Sequence, residues 1–128
     1  MDKQRAQSPL GRARGLGSAK GGALAWWLER VTALALIPLT LWLAASLIAR
    51  SASDYASFVT WVGRPHVTLL IVLLLIALFT HLALGLQVVI EDYVHSWAKI
   101  PALLAARLGC FVLGVAGILA TLRIAFAP

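Results

Sequence analysis

The chain has 128 residues, of which 61% are hydrophobic and 12% charged, and its formal net charge is +6. Ordinary soluble domains carry a larger polar fraction, so this composition excludes them and indicates a small polytopic membrane protein. The basic charges flank apolar segments and form no stripe on a folded face, which argues against nucleic acid as a partner. A single cysteine, Cys110, excludes an intrachain disulfide.

The segment 1–22 precedes the first apolar stretch and is rich in Gly, Ser, Ala and basic residues. This composition predicts a flexible basic tail, and the segment lacks the apolar core of a cleavable signal peptide. Basic residues collect on the cytoplasmic side of membrane flanks, so the N-terminus should be cytoplasmic. The basic residues of the tail are Lys3, Arg5, Arg12, Arg14 and Lys20.

Three apolar segments follow, and each reaches the ~20 residues that cross a hydrocarbon core of roughly 30 Å. We predict helices over about 23–49, 65–95 and 101–125 within one transmembrane domain, 23–128. Short connections make successive helices antiparallel. The predicted fold is therefore an all-α, up-down-up bundle, with a turn of interfacial helix around Tyr55–Trp61 in the outer connection.

The second span contains a lone histidine, His81, deep within its apolar stretch. Ionisable groups inside a bilayer are costly and usually functional. The imidazole could hydrogen-bond between helices, or it could be an axial ligand of haem iron. Gly85, one turn further on the same face, would let a flat macrocycle or another helix approach closely. Because His66 and His95 lie at the two ends of the span, a six-coordinate haem b needs its second ligand from another subunit.

Polar residues collect at the cytoplasmic ends of the predicted spans. Asp92 lies on nearly the same helical face as His81, roughly 16 Å further along the axis, and Tyr93 follows it. The pair is either a solvated helix end or a quinone headgroup site, in which the phenol donates to a quinone carbonyl and the carboxylate assists. Arg30 is either a snorkelling charge or a partner for a haem propionate, and Arg107 is expected to snorkel.

The chain resembles the alphaproteobacterial form of the succinate dehydrogenase hydrophobic membrane anchor, a component of respiratory complex II, in two regions. One is the motif H-x3-G-x6-D-Y at His81, Gly85, Asp92 and Tyr93. The other is the segment LGRARGLGSAKGG followed by WWLERVTALALIPLTLWL, within residues 10–43.

The resemblance implies a non-catalytic subunit of the bacterial inner membrane. Its partners would be a flavoprotein, an iron–sulfur subunit and a second anchor, the cytochrome b556 subunit. By the same resemblance, His81 would ligate the iron of haem b, with Gly85 and Arg30 beside the cofactor, while Tyr93 would bind ubiquinone next to Asp92. Two alternatives stay open: an anchor of a quinol:fumarate reductase, and a non-redox scaffold whose histidine only packs helices.

Overall fold

The computed structural model describes residues 18–127, with side chains from residue 22 onwards. This part of the chain forms four helices and no strand. They are α1 (Ser18–Ala49), α2 (Tyr55–Val62), α3 (Pro65–Tyr93) and α4 (Lys99–Phe126). Residues 1–17 of the predicted tail lie outside the described residues, and α1 begins five residues before the predicted start at residue 23.

Three of these helices are long and apolar enough to cross a membrane, with spans of 28, 29 and 28 residues. The prediction of an all-α protein with three spans is therefore confirmed. The ends differ slightly from the expected bounds. The third helix of the chain stops at Tyr93, because Val94 takes an extended conformation. The fourth begins at Lys99, which places Pro101 in the first turn, where a missing N–H breaks no helical hydrogen bond.

The central long helix is α3, which packs against both α1 and α4. Within the described residues, α1 and α4 do not contact each other, so the long helices lie in the order α1–α3–α4. Buried residues are accordingly concentrated on the middle helix, at Val67, Thr68, Leu74 and Ala77. In this arrangement α3 lies between α1 and α4, and several of its apolar side chains remain exposed, among them Leu69, Leu73 and Leu82.

Small residues of α4 bring it close to α3. A Cβ atom added to Gly114 would lie 3.4 Å from the Phe79 ring, and one added to Gly117 would lie 3.2 Å from Cδ1 of Leu75. Glycine at such positions lets membrane helices approach and gain van der Waals contact, which matters because lipid is as apolar as the helix surface.

The short helix α2 closes the end of the bundle opposite Tyr93. Trp61, Val62 and Val67 form a buried apolar cluster there. The Thr68 hydroxyl donates a 2.7 Å hydrogen bond to the Val62 carbonyl, and the Arg50 guanidinium lies 4.6 Å from the centre of the Trp61 ring. The helix expected around Tyr55–Trp61 is thus present; it packs against α3 and α4, and the Trp61 ring lies 6.0 Å from that of Trp42 on α1.

Asp54 caps the N-terminus of α2. Its carboxylate accepts a 3.2 Å hydrogen bond from the backbone amide of Ser57. Hydrogen bonds from the Ser57 side chain and backbone lower the pKa of Asp54 below its usual value, because they favour the charged form. This cap defines where the connection after α1 turns into helix again.

Candidate functional site

His81 lies near the middle of α3, sixteen residues after Pro65 and twelve before Tyr93. Its side chain is half-buried, and Nδ1 lies 3.2 Å from Oγ1 of Thr32 on α1. Thr32 is the one buried residue of α1 among those whose side chains are described, with 8% of its surface exposed. The structure therefore contains the hydrogen bond between helices that one of the two interpretations of His81 expects, and it is made by the ring nitrogen Nδ1.

The other ring nitrogen, Nε2, makes no hydrogen bond to residues 22–127. In the same part of the chain, no buried side-chain nitrogen or oxygen lacks a partner. It follows that Nε2 is not enclosed within the described residues. The imidazole thus has one nitrogen held by its own chain and a second that a group from outside can reach.

Space beside His81 is open at Gly85, one turn along α3. A Cβ atom added to Gly85 would meet nothing within 4 Å. The described residues contain no cluster of three or more potential metal ligands, so a metal at His81 would need its other ligands from outside these residues. A free imidazole nitrogen next to an open helix face fits the donor set of a haem shared between subunits.

Arg30 lies close in depth to His81. It precedes Thr32 by two residues, which is about 3 Å along the helix axis, on the side toward the Tyr93 end of the antiparallel α3. The side chain is exposed, and its guanidinium lies 5.4 Å from the centre of the Trp26 ring. The structure does not join Arg30 to Tyr93, whose Cα is roughly 18 Å along the axis from that of His81.

Asp92 and Tyr93 form the last turn of α3, and both side chains are exposed. Tyr93 has 80% of its surface accessible, and neither side chain makes a hydrogen bond to the other described residues. The chain therefore presents these two groups at the helix end without enclosing them. Any pocket built on them needs walls from elsewhere.

A polar link between α3 and α4 lies between the histidine and the helix end. The Arg107 guanidinium donates a 2.8 Å hydrogen bond to the Gln87 side-chain oxygen. Gln87 in turn donates a 3.1 Å bond to the Glu91 carboxylate. Arg107, which we expected only to snorkel, thus also has a partner on the neighbouring helix. The signal in the sequence was Gln87, a hydrogen-bonding amide six residues beyond His81 in a span with few polar side chains.

These features define a class of protein: a helical membrane protein with three spans and a histidine fixed at mid-span between two of them. The chain belongs to the family of succinate dehydrogenase/fumarate reductase transmembrane subunits, whose sequence profile matches residues 4–121.

Several relatives carry the name succinate dehydrogenase membrane anchor. The hydrophobic membrane anchor subunit of Rickettsia bellii is 37% identical over 83 residues, covering 65% of this chain and 66% of that protein. The subunit of Rickettsia conorii is 34% identical over 113 residues, covering 85% and 88%. The anchor subunit of Reclinomonas americana is 32% identical over 81 residues, covering 60% and 67%. No solved structure matches the chain. With its three spans, the chain is a multi-pass protein of the bacterial inner membrane.

Proposed function

We propose that the chain is a non-catalytic anchor of succinate:ubiquinone oxidoreductase, in which it holds haem b and part of the ubiquinone site. The family match and the three apolar spans support the anchor role. Its proposed partners are a flavoprotein, an iron–sulfur subunit and a second membrane anchor, the cytochrome b556 subunit. The names of the relatives favour succinate dehydrogenase over fumarate reductase.

His81 is the proposed axial ligand of haem b, and its geometry is the observation that carries the proposal. The ring sits at mid-span with Nδ1 bonded to Thr32, while Nε2 has no hydrogen bond to residues 22–127 and Gly85 leaves the adjacent face open. The second anchor would supply the other axial ligand, because His66 lies in the first turn of α3 and His95 beyond its end. Haem b, when bound, supplies a one-electron carrier within the membrane.

Arg30 is the proposed partner of a haem propionate. Its level along α1 is within one helical turn of His81, whereas the level of Tyr93 is roughly 15 Å away. A guanidinium can pair bidentately with a carboxylate, and such a pair is strongest where water is scarce. The position of Arg30 therefore favours the haem edge over the quinone headgroup.

Tyr93 and Asp92 are the proposed quinone-site residues of this chain. A phenol can donate a hydrogen bond to a quinone carbonyl, and a carboxylate nearby can accept or deliver protons as the quinone is reduced. Both side chains are exposed at the end of α3, where an isoprenoid tail could stay in lipid while the headgroup is bound. Electrons from succinate would reach this site through the flavoprotein and iron–sulfur partners.

The ligand proposal is tested by replacing His81 with alanine in the assembled complex purified through this chain. We expect the absorbance of haem b to be lost or strongly perturbed, since the iron loses one axial ligand. Matched controls are His66→Ala and His95→Ala, which remove the other two histidines and should leave the haem spectrum unchanged. An unchanged bis-histidine signal in the His81 variant refutes the ligand role. A complex purified through the unaltered chain that contains no haem and does not oxidise succinate supports the scaffold alternative.

A further inference from the structure

We infer that Thr32 is a positioning residue for haem binding, because its hydroxyl oxygen accepts the Nδ1–H of His81 and so leaves Nε2 as the lone-pair nitrogen that faces iron. The inference rests on the proposed haem ligation by His81. It adds a role for a residue on α1, the helix that packs against the ligand-bearing helix.

The direction of the hydrogen bond follows from the surroundings of Thr32. Its Oγ1 lies 2.7 Å from the carbonyl oxygen of Leu28 and 3.1 Å from that of Glu29. Carbonyl oxygens only accept, and the 2.7 Å contact with the Leu28 oxygen is short enough to place the single hydroxyl proton between those two atoms. The lone pairs of Oγ1 remain for the imidazole, 3.2 Å away, which must then carry its proton on Nδ1.

That proton position decides which nitrogen can bind a metal. A neutral imidazole has one N–H and one lone pair, so a proton on Nδ1 leaves the lone pair on Nε2. Metal-bound histidines commonly donate the N–H of their second ring nitrogen to an oxygen, which fixes both tautomer and ring orientation. The Thr32 hydroxyl itself donates to a carbonyl, and such polarisation makes its oxygen a better acceptor.

No other polar group within residues 22–127 competes for Nδ1. Gln87, the nearest amide along α3, is already bonded to Arg107 and Glu91. Thr80, the neighbour of His81 in sequence, makes no side-chain hydrogen bond in this part of the chain. Thr32 is also buried, with 8% of its surface exposed, so water does not readily replace its hydroxyl. The one buried side chain of α1 in the described range is thus the one that orients the ligand.

The hydrogen bond should also tune the iron. Donation from Nδ1 to an oxygen makes the imidazole a stronger base at Nε2, which favours ferric over ferrous iron. Removing the acceptor should raise the midpoint potential of the haem. It should also weaken haem retention, since loss of such second partners typically costs about 10- to 100-fold in metal affinity.

The test compares Thr32→Val, which replaces the hydroxyl by a methyl group of similar size, with Thr32→Ser, which keeps the oxygen. Thr40→Val is a matched control, because the Thr40 hydroxyl also bonds to carbonyls of its own helix, those of Leu36 and Ile37, but has no partner on another described helix. The readouts on the purified complex are haem per flavin, midpoint potential and the electron paramagnetic resonance of ferric haem.

We expect Thr32→Val to lower the haem content or, where haem is retained, to raise its midpoint potential and shift its electron paramagnetic resonance. Thr32→Ser and Thr40→Val should resemble the parent. If the valine variant does not assemble, Thr32→Ala is measured in the same way. A hydroxyl-free variant with parental haem content, potential and resonance overturns the role of Thr32. If His81→Ala abolishes haem in the same series, the proposed ligand nevertheless stands. If His81→Ala keeps the parental haem signal, both the ligand and its positioning residue are overturned.

Discussion

The guanidinium of Arg107 on α4 donates a 2.8 Å hydrogen bond to the side-chain oxygen of Gln87 on α3, and so joins two membrane helices through polar side chains. The side-chain amide nitrogen of Gln87 in turn donates a 3.1 Å hydrogen bond to the Glu91 carboxylate, which fixes the orientation of the amide. Hydrogen bonds of this kind stabilise contacts between membrane helices by about 0.6 kcal/mol on average and up to roughly 1.7. This bond lies between the level of His81 and the end of α3, so it holds α4 beside the proposed site.

A double-mutant cycle with Gln87→Leu and Arg107→Leu should therefore be non-additive. Each single change removes the same bond, so the double variant should lose little more thermal stability than the worse single one, with a coupling of about 0.5–1.7 kcal/mol. The measurement is the denaturation midpoint of the purified complex. Pairing Gln87→Leu with Arg123→Leu, near the far end of α4, is the control and should be additive. Additivity in the Gln87 and Arg107 cycle would show that the bond contributes nothing.

Tyr93→Phe should impair quinone reduction while sparing succinate oxidation by an artificial acceptor. The change removes only the phenol hydroxyl, and loss of one hydrogen bond of about 0.5–1.5 kcal/mol corresponds to roughly a two- to tenfold loss of kcat/KM for ubiquinone. The chain has one other tyrosine, Tyr55, which is equally exposed at the opposite end of the bundle. Tyr55→Phe is the matched control and should behave as the parent. Equal loss of both activities in the Tyr93 variant would assign that residue to stability and not to the quinone.

The three spans could be predicted from sequence because lipid imposes a simple requirement, about 20 apolar residues per helix. The order in which the long helices pack, α1–α3–α4, could not be predicted from the sequence. Which helix lies in the middle depends on where small residues permit close approach. Gly114 and Gly117 are recognised as such positions only once the structure places them against Phe79 and Leu75. Hydrophobic periodicity gives little help here, since the lipid-facing and helix-facing sides of each span are both apolar.

The sequence was enough to predict the ligand-type residue of the candidate site, but not the residues that contact it or hold the neighbouring helix in place. His81 stands out because an ionisable group in an apolar span is rare. Thr32, 49 residues earlier, resembles any other threonine of a membrane helix until the packing of α1 on α3 sets its hydroxyl 3.2 Å from the imidazole. The hydrogen bond from Arg107 to the neighbouring helix was not predicted either, because snorkelling already explains a charge near a helix end.

The proposed topology can be tested by cysteine labelling, because the one native cysteine, Cys110, is buried. With the N-terminus cytoplasmic, the connection after α1 faces outward and the connection after α3 faces inward. In spheroplasts, a membrane-impermeant maleimide should label Ser53→Cys and should label Ser96→Cys only after the membrane is opened. Both serines are exposed, so accessibility in the chain itself does not bias the comparison. The reverse labelling pattern would place the proposed quinone-site residues on the outer side.

Gly85→Ala should reveal what lies against the open face beside His81. Within the chain an added Cβ meets nothing within 4 Å, and alanine is favoured over glycine in a helix by up to about 1 kcal/mol, so the helix itself should not be harmed. A haem packed against this face would meet the new methyl group, and we expect lower haem content per flavin. Gly109→Ala, on α4, is the matched control because its Cβ also meets nothing within 4 Å. Parental haem content in the Gly85 variant would mean that the macrocycle lies on another side of His81, and would remove Gly85 from the proposed site while leaving the ligand in place.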